Sequence, residues 1–206
     1  MTTVRSHEPC IIEWGWAGSA LEGPSGDLHV VVSFPDGALV ALLDGLGHGP
    51  EAAAASLTAI SILEAHASEA VLSLIERCHD GLRTTRGAVM SMASFNARDS
   101  SMSWIGVGNV GAVLLRKLRT AEHRDTAIAA RGGVVGFQLP PLRAETLRVF
   151  SGDTLIMATD GIRDAFTTGM VMEHSPQEIA ESIVARFAKG SDDAHVVVVR
   201  YVGASR

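Results

Sequence analysis

The chain has 206 residues, a length that fits one domain and leaves little room for a second. It carries 17 basic and 23 acidic side chains, and its net charge of −6 argues against nucleic acid or an anionic membrane surface as the main partner. Apolar residues make up 47% and charged residues 19%, a balance that supports a buried core and excludes a disordered chain.

Membrane-spanning and secreted classes of protein are not indicated by the sequence. No apolar run approaches the roughly 20 residues that cross a bilayer. Residues 1–10 contain no apolar stretch of the kind found in signal peptides. Cys10 and Cys78 lie far apart, match no metal-binding spacing and are expected to be reduced thiols. We therefore expect a cytoplasmic protein.

Short apolar runs bounded by Gly, Pro, Asp and Ser are typical of strands and turns. They predict strands at Ile11–Ala17, Leu28–Phe34, Ala38–Leu43, Ala88–Phe95, Met102–Val107, Ala112–Arg116, Val134–Phe137, Leu147–Phe150, Thr154–Ala158 and His195–Tyr201. The segment Pro35-Asp36-Gly37 has the residues of a tight turn, so Leu28–Leu43 is predicted to be a β-hairpin. We expect Asp80-Gly81 to form an ordinary turn as well. The polar stretch Thr120–Arg131 is expected to be a hairpin or a surface loop.

Three segments have the pattern of helices. Pro50–Ala67 is rich in Ala and Leu and begins with Pro and Glu, which favour a first helical turn. Glu69–Leu82 places its apolar residues on one helical face. Ser175-Pro-Gln-Glu combines an N-cap, a proline at the first position and a capping-box glutamate, so a helix is predicted from there to about Lys189. About ten strands with three helices indicate an α+β fold in a single domain, residues 1–206.

Aspartates stand at the ends of several predicted strands. Asp44 and Asp160 each follow a buried run, whereas Asp27 and the pair Asp192-Asp193 each precede one. A carboxylate at the end of a buried strand loses hydration, and few Lys or Arg residues are near in sequence to compensate. A divalent cation such as Mg²⁺ or Mn²⁺ would compensate. The alternative is that each Asp-Gly is an ordinary turn, so the metal hypothesis depends on the whole set.

The glycine-rich segment Asp44-Gly45-Leu46-Gly47-His48-Gly49 connects a predicted strand to a predicted helix. Such loops can present backbone N–H groups to an anion, although this one matches neither a Walker nor a dinucleotide-binding motif. His48 can donate a proton, contact phosphate or simply support the loop. His29, His66, His79 and His195 have no ligand spacing and are interpreted as structural.

Taken together in this order, the motifs resemble those of the metal-dependent PP2C-like phosphatases of the SpoIIE type. The matching segments are Ser25-Gly26-Asp27, the Asp44–Gly49 loop, Thr159-Asp160-Gly161 and Asp192-Asp193-Ala194. The resemblance covers Ile11–Tyr201, and the free-standing domain and the Gly-His-Gly segment are most similar to the member that dephosphorylates phosphoserine on stressosome components. It implies a four-layer α/β/β/α sandwich of PP2C type with two central, mostly antiparallel sheets.

The same resemblance implies a site for two Mn²⁺ or Mg²⁺ ions. Asp44 would bridge both ions and the Gly45 carbonyl would complete one coordination shell. Asp27 and Asp160 would bind one ion each, directly or through water. Asp192 matches the aspartate of the last motif, and Asp193 would be a second ligand or support the first.

The implied reaction is hydrolysis of phosphoserine or phosphothreonine on a regulatory protein by direct attack of a metal-activated water, with Asp44 and His48 as catalytic residues. The expected partners are phosphorylated stressosome or anti-sigma-pathway components, with no nucleic acid and no membrane. Two departures from the family pattern stand out. Pro24-Ser25-Gly26 replaces the segment that carries a phosphate-binding arginine in eukaryotic members, and His195 takes the place of a threonine in the last motif.

Two alternatives remain from the sequence. A domain that binds phosphoproteins without hydrolysing them could keep the same fold, although all the metal-site aspartates are present. A hydrolase of small phosphate compounds could use the same site, and relative rates on phosphopeptides and small esters would distinguish the two.

Overall fold

The computed structural model describes residues 10–21 and 23–203. Residues 1–9, on which most of the expected absence of a signal peptide depends, lie outside the described residues. In the described part, no helix combines the length and the hydropathy needed to span a bilayer.

The described residues form ten strands and three helices. In chain order they are β1 (Ile12–Ser19), β2 (Asp27–Phe34), β3 (Gly37–Gly45), α1 (Pro50–His66), α2 (Val71–Leu82), β4 (Ala88–Asn96), β5 (Ser101–Val107), β6 (Gly111–Leu115), β7 (Thr126–Ile128), β8 (Glu145–Arg148), β9 (Thr154–Ala158), α3 (Pro176–Phe187) and β10 (Ala194–Tyr201). They build two five-stranded antiparallel sheets. The first has the order β1-β10-β9-β6-β7 and the second β2-β3-β4-β5-β8.

Three apolar clusters separate the molecule into four layers. One cluster, with Phe95 and Trp104, fills the space between the two sheets. A second joins α1 and α2 to the outer face of the second sheet, and a third joins α3 to the outer face of the first. Each sheet therefore buries both faces, which explains why β3 and β10 are almost continuously apolar. The predicted α/β/β/α sandwich is confirmed.

The predicted hairpin is present and brings the start of β2 next to the end of β3. Residues from Asp27 to Phe34 pair with residues from Asp44 back to Gly37. Asp36, in the turn, has a positive φ of 58°, a conformation that Asp tolerates better than most residues. Helix α3 begins as predicted, because the Ser175 hydroxyl accepts from Glu178 N and the Glu178 carboxylate accepts from Ser175 N.

Two local predictions are wrong. Val134–Phe137 is a tight turn instead of a strand, since Gly136 adopts a φ of 96° and the chain folds back at Gln138. Asp80-Gly81 is helical and lies near the C-terminal end of α2 instead of forming the predicted ordinary turn. The buried side chains of Cys78 and Leu82 keep the helix packed to its end. The polar stretch 120–131 contains the short strand β7, which pairs with β6.

Candidate metal centre

The site begins with two aspartates that face each other across the hairpin. Asp27 at the start of β2 and Asp44 at the end of β3 are direct cross-strand partners. Asp27 is only 5% exposed and Asp44 is half-buried. Burial raises the pKa of Asp27 to about 7, and burial together with the charge of Asp27 raises the pKa of Asp44 to about 8. Like charges in this arrangement are unfavourable unless a positive charge is added.

The other sheet brings further carboxylates to the same edge. Asp160 follows the end of β9, and Asp192 and Asp193 precede the start of β10, which is the antiparallel neighbour of β9. All three contribute to the raised pKa of Asp27 and of Asp44. The antiparallel pairing therefore explains why aspartates at the end of one strand and the start of the next converge.

An open cleft of about 630 Å³ lies between these strand ends. Asp44, Asp160 and Asp192 contribute to its polar part, and His48 lies at its side on the glycine-rich loop. The remaining lining residues are small, apolar or amide-bearing: Leu46, Gly47, Val89, Gly108, Asn109, Gly132 and Val134. The cleft thus has a carboxylate-rich part and an apolar wall.

Hydrogen bonds hold several of the carboxylates in place. The Thr159 hydroxyl donates to Asp27 Oδ2 over 2.7 Å, and Asn109 Nδ2 donates to Asp160 Oδ2 over 2.7 Å. Asp193 differs from the others, because its two oxygens accept from the backbone N–H groups of Leu21 and Gly26, at 2.8 and 3.2 Å. Asp193 therefore fixes the loop that precedes Asp27.

The glycine-rich loop is kept close to the start of α1. Gly45 is buried, and a Cβ there would lie 2.1 Å from the carbonyl oxygen of Ala52 in α1. Gly47 and Gly49 have positive φ values of 90° and 77°, which carry the chain sharply from β3 into the helix. His48 between them is exposed. The tight approach at Gly45 thereby fixes the main chain that follows Asp44.

The donor set fits a hard divalent cation. In residues 10–21 and 23–203, none of Asp27, Asp44, Asp160 and Asp192 forms an ion pair with Lys or Arg. Within the same ranges, no three His, Cys, Asp or Glu side chains already converge into a compact metal-binding group. Asp44, Asp160 and Asp192 instead line the cleft as oxygen donors without a basic partner in those ranges, and Asp27 lies across the hairpin from Asp44. Oxygen ligands of this kind suit Mg²⁺ and Mn²⁺ and provide little for soft metals.

Sequence reasoning missed several residues that shape the site. Thr159 was visible only as the neighbour of Asp160, and Asn109 was not among the predicted site residues. His29 and His195 lie on different sheets, and their Nδ1 and Nε2 atoms are 2.8 Å apart. The ring of Trp16 stacks on His195 with an interplanar angle of 3°. These side chains join β1, β2 and β10 next to the aspartates, in agreement with a structural role for both histidines.

Comparison with known proteins gives a consistent family. A model of the family described as Stage II sporulation protein E (SpoIIE) matches residues 35–202. The chain is 35% identical over 156 residues to phosphoserine phosphatase RsbX of Bacillus subtilis (strain 168), which covers 75% of this chain and 76% of RsbX. RsbX is the phosphoserine phosphatase that the motifs were predicted to resemble most, so that resemblance is confirmed.

Solved structures share the fold over nearly the whole chain. One similar structure is described as "The bacterial stressosome: a modular system that has been adapted to control secondary messenger signaling". It has a TM-score of 0.82 and 27% identity, and the match covers 92% of this chain and 99% of that one. RsbX in complex with magnesium has a TM-score of 0.77 and 24% identity, covering 97% and 99%. The PP2C phosphatase domain of SpoIIE from Bacillus subtilis has a TM-score of 0.72 and 22% identity, covering 95% of this chain and 64% of that one, so the four layers are those of the PP2C-type sandwich.

Proposed function

Because the chain belongs to the SpoIIE family, we propose that it is a metal-dependent protein phosphatase that hydrolyses phosphoserine or phosphothreonine on a regulatory protein. The observation that carries this proposal is the cross-strand pair Asp27 and Asp44 at the edge of a cleft. Two further carboxylates, of Asp160 and Asp192, line that cleft and have no basic partner among the described residues. The similarity to a phosphoserine phosphatase supports the type of ester.

The proposed ligands follow from the position of each carboxylate. Asp44 would bridge two Mn²⁺ or Mg²⁺ ions, with the Gly45 carbonyl in one coordination shell. Asp27, Asp160 and Asp192 would each complete the site from their own strand end. Asp193 supports the site by holding the loop before Asp27. The magnesium complex of RsbX, which has the same fold, is consistent with this choice of ion.

The reaction requires positive charge next to the phosphate oxygens and a deprotonated water, and a pair of bound divalent ions would supply both. The contribution of the chain itself is to hold and orient the groups around the ester. Thr159 and Asn109 fix two carboxylates through hydrogen bonds of 2.7 Å. His48, exposed at the side of the cleft, would donate a proton to the leaving serine oxygen.

The proposed substrate is a phosphorylated stressosome or anti-sigma-pathway component, which agrees with the stressosome chain of similar fold. We propose in addition that residues 1–206 form one phosphatase domain and that it acts in the cytoplasm. The described elements support the first point, because both sheets and all three helices share one layered arrangement.

The first experiment is release of inorganic phosphate from a phosphoserine peptide with Mn²⁺, with EDTA and with the variant Asp44→Asn. We expect Mn²⁺-dependent release that EDTA abolishes and that Asp44→Asn lowers by orders of magnitude. Asp80→Asn is the matched control, because Asp80 is exposed on α2 and pairs with Arg83 away from the cleft. A folded, Mn²⁺-loaded wild type that releases no phosphate would contradict a general phosphatase. Phosphorylated stress-scaffold proteins would then test for a partner-specific enzyme.

His48→Ala tests the proposed proton donor. A general acid contributes about a hundredfold or more to the rate, so we expect a loss of that size in kcat with an unchanged Mn²⁺ dependence. A loss of less than about threefold would instead identify His48 as a loop residue.

A further inference from the structure

An exposed phenyl ring lies in the turn that begins at Val134, one of the residues that line the candidate active-site cleft. Phe137 is 82% exposed, although it lies in a tight turn where Gly, Asn, Asp and Ser are the usual residues. Isolated apolar side chains on a surface are common and by themselves indicate nothing. Phe137 differs because it lies in a hydrogen-bonded turn that begins at a residue of the cleft.

The turn that carries Phe137 is rigidly attached to the core. Val134 and Gln138 exchange two backbone hydrogen bonds of 2.8 Å, which close the turn. Gly136 N donates to His79 Nδ1 over 3.0 Å, and a Cβ on Gly136 would lie 2.7 Å from Leu82 Cβ. Val135, on the other side of the chain, is fully buried. The ring is therefore presented to solvent on a fixed support, and little conformational entropy is lost when it binds a partner.

The turn is continuous with the wall of the cleft. Val134 lines the cleft together with Val89 and Leu46. The main chain at Gly87 packs directly against Val134, since a Cβ on Gly87 would lie 2.8 Å from Val134 Cγ1. A polypeptide that extends from the carboxylates along this wall would reach the turn that carries Phe137.

A basic side chain, that of Arg86, lies against the glycine-rich loop that lines the cleft. The guanidinium of Arg86 approaches Gly47 of the glycine-rich loop so closely that a Cβ there would lie 2.8 Å from Arg86 Nη1. Its side chain is half exposed and pairs with Glu51 at the start of α1. A basic group beside an apolar wall suits a segment that carries both a phosphate and an apolar side chain.

We infer that the turn Val134–Gln138 is a substrate-docking element, and that Phe137 contacts an apolar side chain adjacent to the phosphoserine of a protein substrate. This inference rests on the proposed phosphatase function, because it assigns the polypeptide around the phosphoserine to one wall of the cleft. It makes Phe137 a specificity-determining residue that has no part in the hydrolysis itself.

The test compares three phosphate esters. Two short phosphoserine peptides differ only in whether leucine or serine flanks the phosphoserine, and p-nitrophenyl phosphate has no flanking residue. We expect the wild type to favour the leucine peptide by about tenfold in kcat/KM, chiefly through KM. Phe137→Ala should lose that preference and hydrolyse p-nitrophenyl phosphate at the wild-type rate.

Leu118→Ala provides the matched control. Leu118 is 77% exposed and follows β6 at the end where Leu115 pairs with Thr154, opposite the end where Gly111 pairs with Ala158 near the cleft. This variant should keep the peptide preference. Equal kcat/KM values of the wild type on both peptides, or a preference that survives in Phe137→Ala, would overturn the inference.

A failure of the proposed function gives a different result. In that case the wild type hydrolyses none of the three esters. The affinity for the two peptides then tests whether Phe137 belongs to a docking element. Fluorescently labelled leucine and serine peptides are titrated with wild type and with Phe137→Ala in the presence of Mn²⁺. About tenfold weaker binding of the leucine peptide by the variant supports the docking element, and equal binding by the two proteins overturns it.

Discussion

Thr159 and Asp27 connect the two sheets at the candidate metal centre. Thr159 follows β9 in the first sheet, and its hydroxyl donates to Asp27 Oδ2 in the second sheet over 2.7 Å. The same hydroxyl oxygen accepts from the backbone N–H of His195 over 2.9 Å. Both groups are buried, so this hydroxyl fixes Asp27 relative to the strand ends that carry Asp160 and Asp192.

Thr159→Val should therefore affect both stability and metal binding. Removal of the hydroxyl leaves Asp27 without a bond that lowers its pKa, and lowers the free energy of unfolding by about 1–3 kcal/mol. We also expect weaker Mn²⁺ binding, measured by calorimetric titration, because the carboxylate is no longer oriented. Thr146→Val on the exposed strand β8 is the control and should change neither quantity. Unchanged Mn²⁺ affinity in Thr159→Val would exclude the positioning role.

Asp44→Asn should make the metal-free protein more stable while it abolishes the response to metal. Above about pH 8, where Asp44 is ionised, the substitution removes a negative charge that lies opposite Asp27, so the melting temperature in EDTA should rise, corresponding to a gain in stability on the order of 1 kcal/mol. A cation that binds only the folded state raises the melting temperature of the wild type. Asp44→Asn should lose this increase with Mn²⁺, and the control Asp80→Asn should keep it. An undiminished Mn²⁺ response in Asp44→Asn would contradict the assignment of Asp44 as bridging ligand.

The stability of the metal-free protein should fall as pH rises above about 6.5. The pKa values of Asp27 and Asp44 are raised from 3.8 to about 7 and about 8, so the folded protein holds more protons than the unfolded chain up to about pH 8. Burial lowers the pKa values of His29 and His195 from 6.5 to about 4 and about 3, which opposes this effect mainly below pH 6.5 and hardly at all above about pH 7.5. Between about pH 6.5 and 8 the aspartates outweigh the histidines, because only the last part of the unfolded histidine titration falls in this range.

Urea unfolding in EDTA at pH 6.5 and at about pH 8.5 measures this effect. The wild type should lose stability across the interval, and saturating Mn²⁺ should remove the loss because bound cations favour the charged carboxylates. Asp44→Asn should show a smaller decrease, since one of the two titrating groups is gone. A stability that rises across the interval in EDTA would contradict the raised pKa values.

Local sequence patterns predicted most of the fold. Pro35-Asp36-Gly37 identified the β2–β3 hairpin, and the Ser175 capping box identified the start of α3, because turn and cap chemistry are determined within a few residues. The apolar run at 134–137 misled the prediction. Its hydrophobicity suits a strand, but the positive φ of Gly136 makes it a turn whose Val135 is buried and whose Phe137 is exposed.

The aspartates of the candidate site could also be found from sequence, since each stands where a buried strand begins or ends. Their surroundings could not. The bond between Thr159 and Asp27 joins residues 132 positions apart, and that between His29 and His195 joins residues 166 positions apart. Such contacts depend on how the two sheets stack, which spacing along the chain does not encode. The role of Asp193 in holding the loop at Gly26 was hidden for the same reason.

Gly161→Ala should disrupt the fold and the candidate site together. A Cβ on Gly161 would lie 1.8 Å from the carbonyl oxygen of Asp193, a backbone atom that cannot move without shifting the segment that carries Asp192 into the cleft. Overpacking of this kind typically lowers stability by about 1–3 kcal/mol. We expect a lower melting temperature in EDTA and weaker Mn²⁺ binding by calorimetry.

Gly132→Ala is the control for that substitution. Gly132 also lines the cleft, but an added Cβ has no atom within 4 Å and the backbone is not in the left-handed region, so the methyl group should be accommodated. Its melting temperature and Mn²⁺ affinity should match those of the wild type. If Gly161→Ala were as stable as Gly132→Ala and bound Mn²⁺ equally well, the close contact between Gly161 and Asp193 would not determine the position of Asp192. The arrangement of the last motif would then have to depend on the hydrogen bonds of Asp193 to the loop at Leu21 and Gly26 alone.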